Sequence, residues 1–218
     1  MLPPSSRPWL GPVAVLAALL GALLGLRYAG ADGPGALDTR LRAATDAAGP
    51  AGWHLARATD FLGEPLGAAA LVAAAVTASL LLRHPRAAVL VVAGTGLTVA
   101  ATTLLKPLVG RTIHGGFLSY PSGHTGFLTA FALAVALGAA GRFRLGRTAG
   151  GCLVLAAALL AGAAMGWAQV VTGAHYPTDA LGGWCTALVV VPAAAWLIDR
   201  AAAGEAGRPA GTGRRGPA

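Results

Sequence analysis

Six stretches of this chain are apolar for about the length that a bilayer demands, and no other feature limits the fold so tightly. A spanning helix needs roughly 20 apolar residues. Runs at residues 9–26, 66–82, 87–105, 123–140, 149–168 and 180–198 meet or approach that length. In hydrocarbon every backbone N–H and C=O must be satisfied within the protein, so such runs fold as helices. The expected fold is therefore all-α: a polytopic bundle of six transmembrane helices. Charged residues make up only 11% of the chain, against about 25% in a soluble domain. The 32 glycines suit helices that approach closely in a membrane. Cys152 and Cys185 stand apart in apolar runs and read as small core residues, not as a disulfide or a metal pair. The bias towards Ala, Gly and Arg points to a bacterial source.

Residues 1–200 are expected to form one membrane domain. The first run follows only Arg7 and has no convincing small-residue cleavage site before Arg27, so it reads as a retained helix rather than a signal peptide. The link at 31–65 is polar but carries Leu37, Trp53 and Phe61, which predicts one or two short helices lying at the membrane interface. The tail at 201–218 is rich in Gly, Ala, Pro and Arg and is expected to be disordered.

The basic residues set the orientation. With both termini in the cytoplasm, the inner segments hold the whole net charge of +8 and the outer segments balance. That is the asymmetry the positive-inside rule demands. The charge is thus a signal of topology, with attraction to anionic lipid as a secondary effect, and nucleic acid need not be invoked. The chain is expected in a bacterial inner membrane, with the ends of the runs at 87–105, 123–140 and 180–198 that carry polar clusters facing outward.

Three such clusters share that side. Lys106 ends the third run and Arg111 follows it, with Pro107 and Gly110 between. Alone, the pair could be snorkelling anchors, but outer basic residues run against the topology bias. Pro121-Ser122-Gly123-His124 opens the fourth run. Unpaired N–H groups and the positive dipole end of a helix make an anion site there. Ser122 can cap the helix or donate to an oxygen, and Gly123 permits close approach. A plain helix start with an interfacial histidine is the competing account. His175-Tyr176-Pro177-Thr178-Asp179 opens the sixth run. A carboxylate four residues from an imidazole can hold one ring nitrogen and leave the other free to attack. Equally, Asp179 could simply stabilise a helix N-terminus.

Taken together and in this order, the clusters resemble the type 2 phosphatidic acid phosphatase superfamily, the lipid phosphate phosphatases and vanadium haloperoxidases. Its pattern runs Lys-x6-Arg-Pro, then Pro-Ser-Gly-His, then Ser-Arg-x5-His-x3-Asp. The resemblance covers residues 87–198. It implies a phosphatase acting on a lipid phosphate monoester or diphosphate, for example a polyprenyl diphosphate, phosphatidic acid or phosphatidylglycerophosphate. By the same resemblance, His175 would attack phosphorus to give a phosphohistidine, oriented by Asp179, and His124 would protonate the leaving alcohol. Lys106, Ser122 and Gly123 would hold the phosphate. No metal or other cofactor is implied, and carboxylates or cysteines spaced as ligands are missing from the sequence.

The chain departs from the pattern at two arginines. Ile113 stands seven residues after Lys106, followed by His114, and Gln169 stands six residues before His175, preceded by Ala168. Neither Ile nor Gln replaces a bidentate guanidinium. Arg111, two residues early in a glycine-containing loop, is the expected substitute in the phosphate cradle, while Gln169 can offer a neutral hydrogen bond. A lipid-phosphate-binding membrane protein with weak or no turnover is the alternative that these two departures support.

Overall fold

The computed structural model describes residues 7–206. The eight α-helices are α1 (Arg7–Arg27), α2 (Ala36–Ala43), α3 (Gly49–Phe61), α4 (Pro65–Leu81), α5 (Pro85–Val109), α6 (Gly123–Arg142), α7 (Arg147–Val171) and α8 (Pro177–Ala206). A 3-10 turn, Asp46–Ala48, joins α2 to α3, and strands β1 (Thr112–Ile113) and β2 (Phe117–Leu118) form a small antiparallel hairpin between α5 and α6.

Among the described residues, five helices are long and apolar enough to cross a membrane: α1, α5, α6, α7 and α8. The sixth expected span needs revision. α4 has 17 residues, or roughly 26 Å at 1.5 Å per residue, less than the ~30 Å hydrocarbon core. It becomes a full span only together with α3, from which it turns by 61° at a short break. Leu62, Gly63 and Glu64 form that corner, and Pro65 restarts the helix at its first position, where a missing N–H does no harm. The 31–65 link accordingly consists of α2 and a 3-10 turn leading into the bent α3–α4 pair. α8 also runs six residues into the expected tail. The remainder of that tail lies outside the described residues.

The bundle is built around α6, which packs against α5, α7 and α8, while α1 lies on α8, α3 on α7 and α4 on α5. Leu90, Val91, Leu133, Leu137, Val154 and Val191 fill the centre, interleaved with alanines such as Ala130, Ala134, Ala187 and Ala195. The outward faces stay apolar: Leu16, Leu23, Leu104, Leu108 and Leu160 are each more than 60% exposed. In water that surface would drive aggregation, whereas in a bilayer it faces lipid. Cys185 is buried as expected, but Cys152 is exposed, so only one of the two free cysteines is a core residue.

Glycine fixes the closest helix approach. A Cβ on Gly183 of α8 would lie 2.2 Å from the Ser122 carbonyl oxygen and 3.0 Å from the Gly126 nitrogen, and one on Gly126 would crowd Thr98, Thr102 and the Gly183 oxygen. The first turn of α6 and the second turn of α8 therefore touch backbone to backbone, which draws two of the polar clusters together.

Candidate active site

The site forms where α5 ends and α6 and α8 begin. Gly110 ends α5 in the left-handed conformation (φ +67°), its N–H bonded to the Lys106 carbonyl. That turn points the following residue, Arg111, back into the protein. β1 and β2 then fold the chain over so that Ser119 N–H donates to the Arg111 carbonyl at 2.9 Å. The Lys106 ammonium donates to the Leu118 carbonyl at 2.8 Å and is only partly covered.

α6 starts as the sequence suggests. Ser122 is its N-cap, with Oγ accepting from the Thr125 N–H at 3.3 Å and from the Thr125 hydroxyl at 3.2 Å. The Ser122 side chain is fully buried, and its N–H donates to the Asp179 carbonyl at 2.9 Å. One backbone bond thus ties the second cluster to the third. Gly123 is the first helical residue, and His124, the second, keeps 34% of its side chain exposed.

At the head of α8, Asp179 occupies the third helical position, and its Oδ2 accepts from the Tyr176 N–H at 3.0 Å. This is the carboxylate half of a capping box. The same oxygen faces His175 Nδ1 at 3.6 Å. Asp179 therefore caps the helix start while lying close to the imidazole without a hydrogen bond to it. His175 Nδ1 is buried and has no partner within hydrogen-bonding distance, so a small closure would complete the pair. Catalytic hydrogen bonds commonly tighten only when substrate is present.

Arg111 is engaged by the protein itself. Its side chain is fully buried and held from four sides. Nη1 donates to Asp179 Oδ1 at 2.7 Å and to the Thr178 hydroxyl at 2.6 Å, and Nη2 donates to Asp38 Oδ2 at 2.6 Å. The guanidinium lies between two aromatic rings, 4.0 Å from the Tyr28 centroid and 4.3 Å from that of Tyr176. Such a sandwich suits a planar, weakly hydrated cation. Asp38 is itself the third residue of α2 and accepts from the Gly35 N–H, the Thr178 N–H and the Thr178 hydroxyl. Burial pushes its carboxyl group upward most strongly, but the bonds from Gly35, Thr178 and Arg111 together outweigh it and hold the group below the ordinary carboxylate range. The sequence offered Arg111 as a phosphate ligand. The structure makes it the middle of a buried Asp38–Arg111–Asp179 chain that ends on His175.

The two positions where the family arginines are absent also have defined surroundings. Ile113 is buried in the hairpin, and the neighbouring His114 contacts the Gly173 carbonyl through Nε2 at 2.7 Å. Gln169 is buried, and its Nε2 donates to Asp60 Oδ1 on α3 in a close contact. That Asp60 oxygen lies 3.8 Å from His124 Nε2. Lys106 and His175 are both near enough to His124 to act on its charge. Lys106, His124, His175, Asp179 and the Ser122–Gly123 backbone thus gather at one end of the bundle.

Asp38 and Asp60 were not singled out by motif or spacing. The partners that bring them to the site lie more than 60 residues away, and their only trace in the sequence is that acids of the 31–65 link balance the outer basic residues. Among the described residues, no group of three or more His, Cys, Asp or Glu is placed to hold a metal ion.

Comparison with known proteins agrees with this geometry. Residues 87–202 match the PAP2 superfamily, a region that covers more than half of the chain and every residue of the three clusters. No curated protein matches the chain. Among solved structures, the chain is similar to a transmembrane PAP2-type phosphatidylglycerolphosphate phosphatase from Bacillus subtilis. The TM-score is 0.69 at 18% identity, with 86% of this chain and 96% of that one covered. A fold shared over nearly all of that enzyme, a family match over the motif region, and six apolar segments define an integral membrane protein. The chain belongs to the PAP2 superfamily.

Proposed function

We propose that this protein is a membrane phosphatase that hydrolyses a lipid phosphate monoester or diphosphate through a phosphohistidine on His175. The observation that carries the reading is the buried carboxylate of Asp179 facing His175 Nδ1 while Arg111 occupies its other oxygen. A carboxylate fixed in this way keeps the Nδ1 side of the ring as the donor and leaves Nε2 as the attacking nitrogen. The Nε2 lone pair forms the P–N bond as the P–O bond to the alcohol breaks. His124 gives its proton to the departing oxygen, and a water then attacks phosphorus and releases His175 and inorganic phosphate. Lys106, the Ser122 hydroxyl and the Gly123 N–H at the α6 start stabilise the phosphoryl oxygens as charge builds on them. Arg111 acts through Asp179 as a positioning residue, and the reaction requires no metal.

Clustering at helix ends, rather than at mid-membrane, suits a head group presented from the bilayer. A polyprenyl diphosphate, phosphatidic acid and phosphatidylglycerophosphate all meet that description, and the similar Bacillus subtilis structure gives the last some weight. The positive-inside asymmetry supports cytoplasmic termini, a bacterial inner membrane and an outward-facing site.

The test is release of inorganic phosphate by the purified protein in detergent micelles, with a chelator present, from a panel of these lipids. Turnover that disappears in His175→Ala and falls steeply in His124→Ala is expected. Full turnover in His175→Ala would remove the nucleophile from the scheme. One observation favours a second reading: neither Arg111 nor Gln169 places a guanidinium at the phosphate. Saturable binding of a lipid phosphate without turnover would identify the protein as a binder.

A further inference from the structure

The corner between α3 and α4 closes on His124. Asp60, in the last turn of α3, is buried and lies 3.8 Å from His124 Nε2. A Cβ on Gly63 would fall 2.4 Å from His124 Cδ2, so backbone lies directly against the ring. Gln169 of α7 fixes Asp60 from behind through its amide. Arg57 approaches the other carboxylate oxygen, but only at 3.5 Å and with half of its side chain in the open.

We infer that Asp60 is a positioning residue for the leaving-group acid, its charge favouring the protonated, proton-donating form of His124 against the burial of the ring. This rests on the reading of His124 given above. Three features lead to it. The separation of 3.8 Å exceeds hydrogen-bond length, so the carboxylate acts through its charge and leaves Nε2–H available to another oxygen. The close donor to Asp60 is a neutral amide, which orients the carboxylate without cancelling it, as a guanidinium at the same place would. The carboxylate is also largely out of water, where its field is little screened.

The charged groups around His124 are Asp60 of α3, Glu64 of the corner, Lys106 of α5 and His175 ahead of α8. Burial of the ring disfavours the imidazolium most strongly, and the charges of His175 and Lys106 add to that; Asp60, followed by Glu64, is what favours it. Asp60 is the acid within 4 Å. In the step concerned, the Nε2–H bond of His124 breaks as an O–H bond forms on the leaving alcohol. The neutral imidazole then takes a proton from the water that attacks the phosphohistidine.

The test compares wild type with Asp60→Asn on two substrates, a lipid alkyl phosphate and p-nitrophenyl phosphate, over a range of pH. An alcohol leaving group needs the proton, and nitrophenolate hardly does. The expected result is a loss of roughly tenfold to hundredfold in kcat/KM on the alkyl ester, little loss on the aryl ester, and an alkaline limb moved to lower pH. Asp60→Glu, which keeps the charge, should recover much of the loss. Equal losses on both substrates with an unmoved limb would make Asp60 merely structural and overturn the inference. A second measurement is independent of turnover: the His124 ring is titrated by NMR in micelles, its signal assigned from its disappearance in His124→Gln. Asp60→Asn, or Asp60→Ser if the amide variant does not accumulate, should lower its midpoint. An unchanged midpoint overturns the inference even if the protein has no phosphatase activity. A shifted midpoint in a protein without turnover upholds the pairing and overturns the phosphatase reading alone.

Discussion

Replacing Arg111 by Met removes the cation from between two buried carboxylates while keeping much of the side-chain volume. Breaking one buried ion pair from one side costs about 3–5 kcal/mol. Here Arg111 serves Asp38 at 2.6 Å and Asp179 at 2.7 Å, with none of the three side chains more than 1% exposed. The stranded carboxylates can limit the penalty by taking up a proton. Protonating a carboxylate of ordinary pKa, 3.8, at neutral pH costs about 4 kcal/mol at about 1.4 kcal/mol per pH unit, which caps the penalty. Losing the contacts with Tyr28 and Tyr176 adds on the order of 1–2 kcal/mol. We therefore expect Arg111→Met to lose about 4–6 kcal/mol at pH 7, enough to threaten a fold of ordinary stability.

The pH dependence supplies the sign. In the variant a carboxyl group has a folded pKa above its unfolded value, so the penalty grows with pH above the unfolded value and shrinks as pH falls towards it. At pH 5 it should be smaller by roughly 2–3 kcal/mol. Unfolding in mixed micelles, followed by tryptophan fluorescence, measures this, and Arg111→Met/Asp38→Asn should be more stable than Arg111→Met alone. A penalty under about 1 kcal/mol, or one that does not change with pH, would refute the buried charge chain.

Three further outcomes follow from the same geometry. Asp38→Asn should cost about 1.5–3 kcal/mol at neutral pH; because the Asp38 carboxyl is held low in the folded protein, its contribution is complete above about 3.8 and is lost as pH falls through the lower folded value, so the stability curves of variant and wild type should converge in acid. Gly183→Ala should force α6 away from α8, since the added carbon would stand 2.2 Å from the Ser122 carbonyl; a drop of about 3 kcal/mol or more in unfolding free energy is expected, and an unchanged melting curve would contradict the close backbone contact. Lys106→Met should weaken competitive inhibition by inorganic phosphate about tenfold, as loss of one charge-assisted hydrogen bond predicts.

The parts of this site that the sequence announces are those whose geometry is local. Ser122 caps the helix it precedes, Asp179 reaches back one turn to Tyr176 and His175, and Gly110 ends the helix before it. Each follows from residues within four positions. The apolar runs are equally legible, because hydrocarbon admits few backbone solutions. Distant pairing is not legible in the same way. Arg111 carries the right charge near the right spacing for a phosphate ligand, and what redirects it is Asp38, 73 residues away, in a helix whose composition shows only polarity. Asp60 is hidden for the same reason, its amide partner lying 109 residues further on. Hydropathy gives α4 its apolar length but not the corner that precedes it, because a bend depends on what the two arms pack against. It likewise says little about the end of α8, where alanines continue the helix into a stretch whose composition suggested a tail.

The single backbone bond from Ser122 to Asp179 has a mechanical consequence. On the proposed mechanism, that bond joins the turn that would hold phosphate to the carboxylate behind His175, so a tilt of α8 in a thicker or thinner bilayer would carry both together and preserve the line of attack. His124 stands on the same turn as Ser122, whereas Asp60 belongs to the α3–α4 corner, which is tied to α7 through Gln169 and not to α8 by that bond. Strain imposed by the surrounding lipid should therefore register first at proton delivery and last at phosphorus, which would make the chemistry of alcohol departure sensitive to membrane thickness.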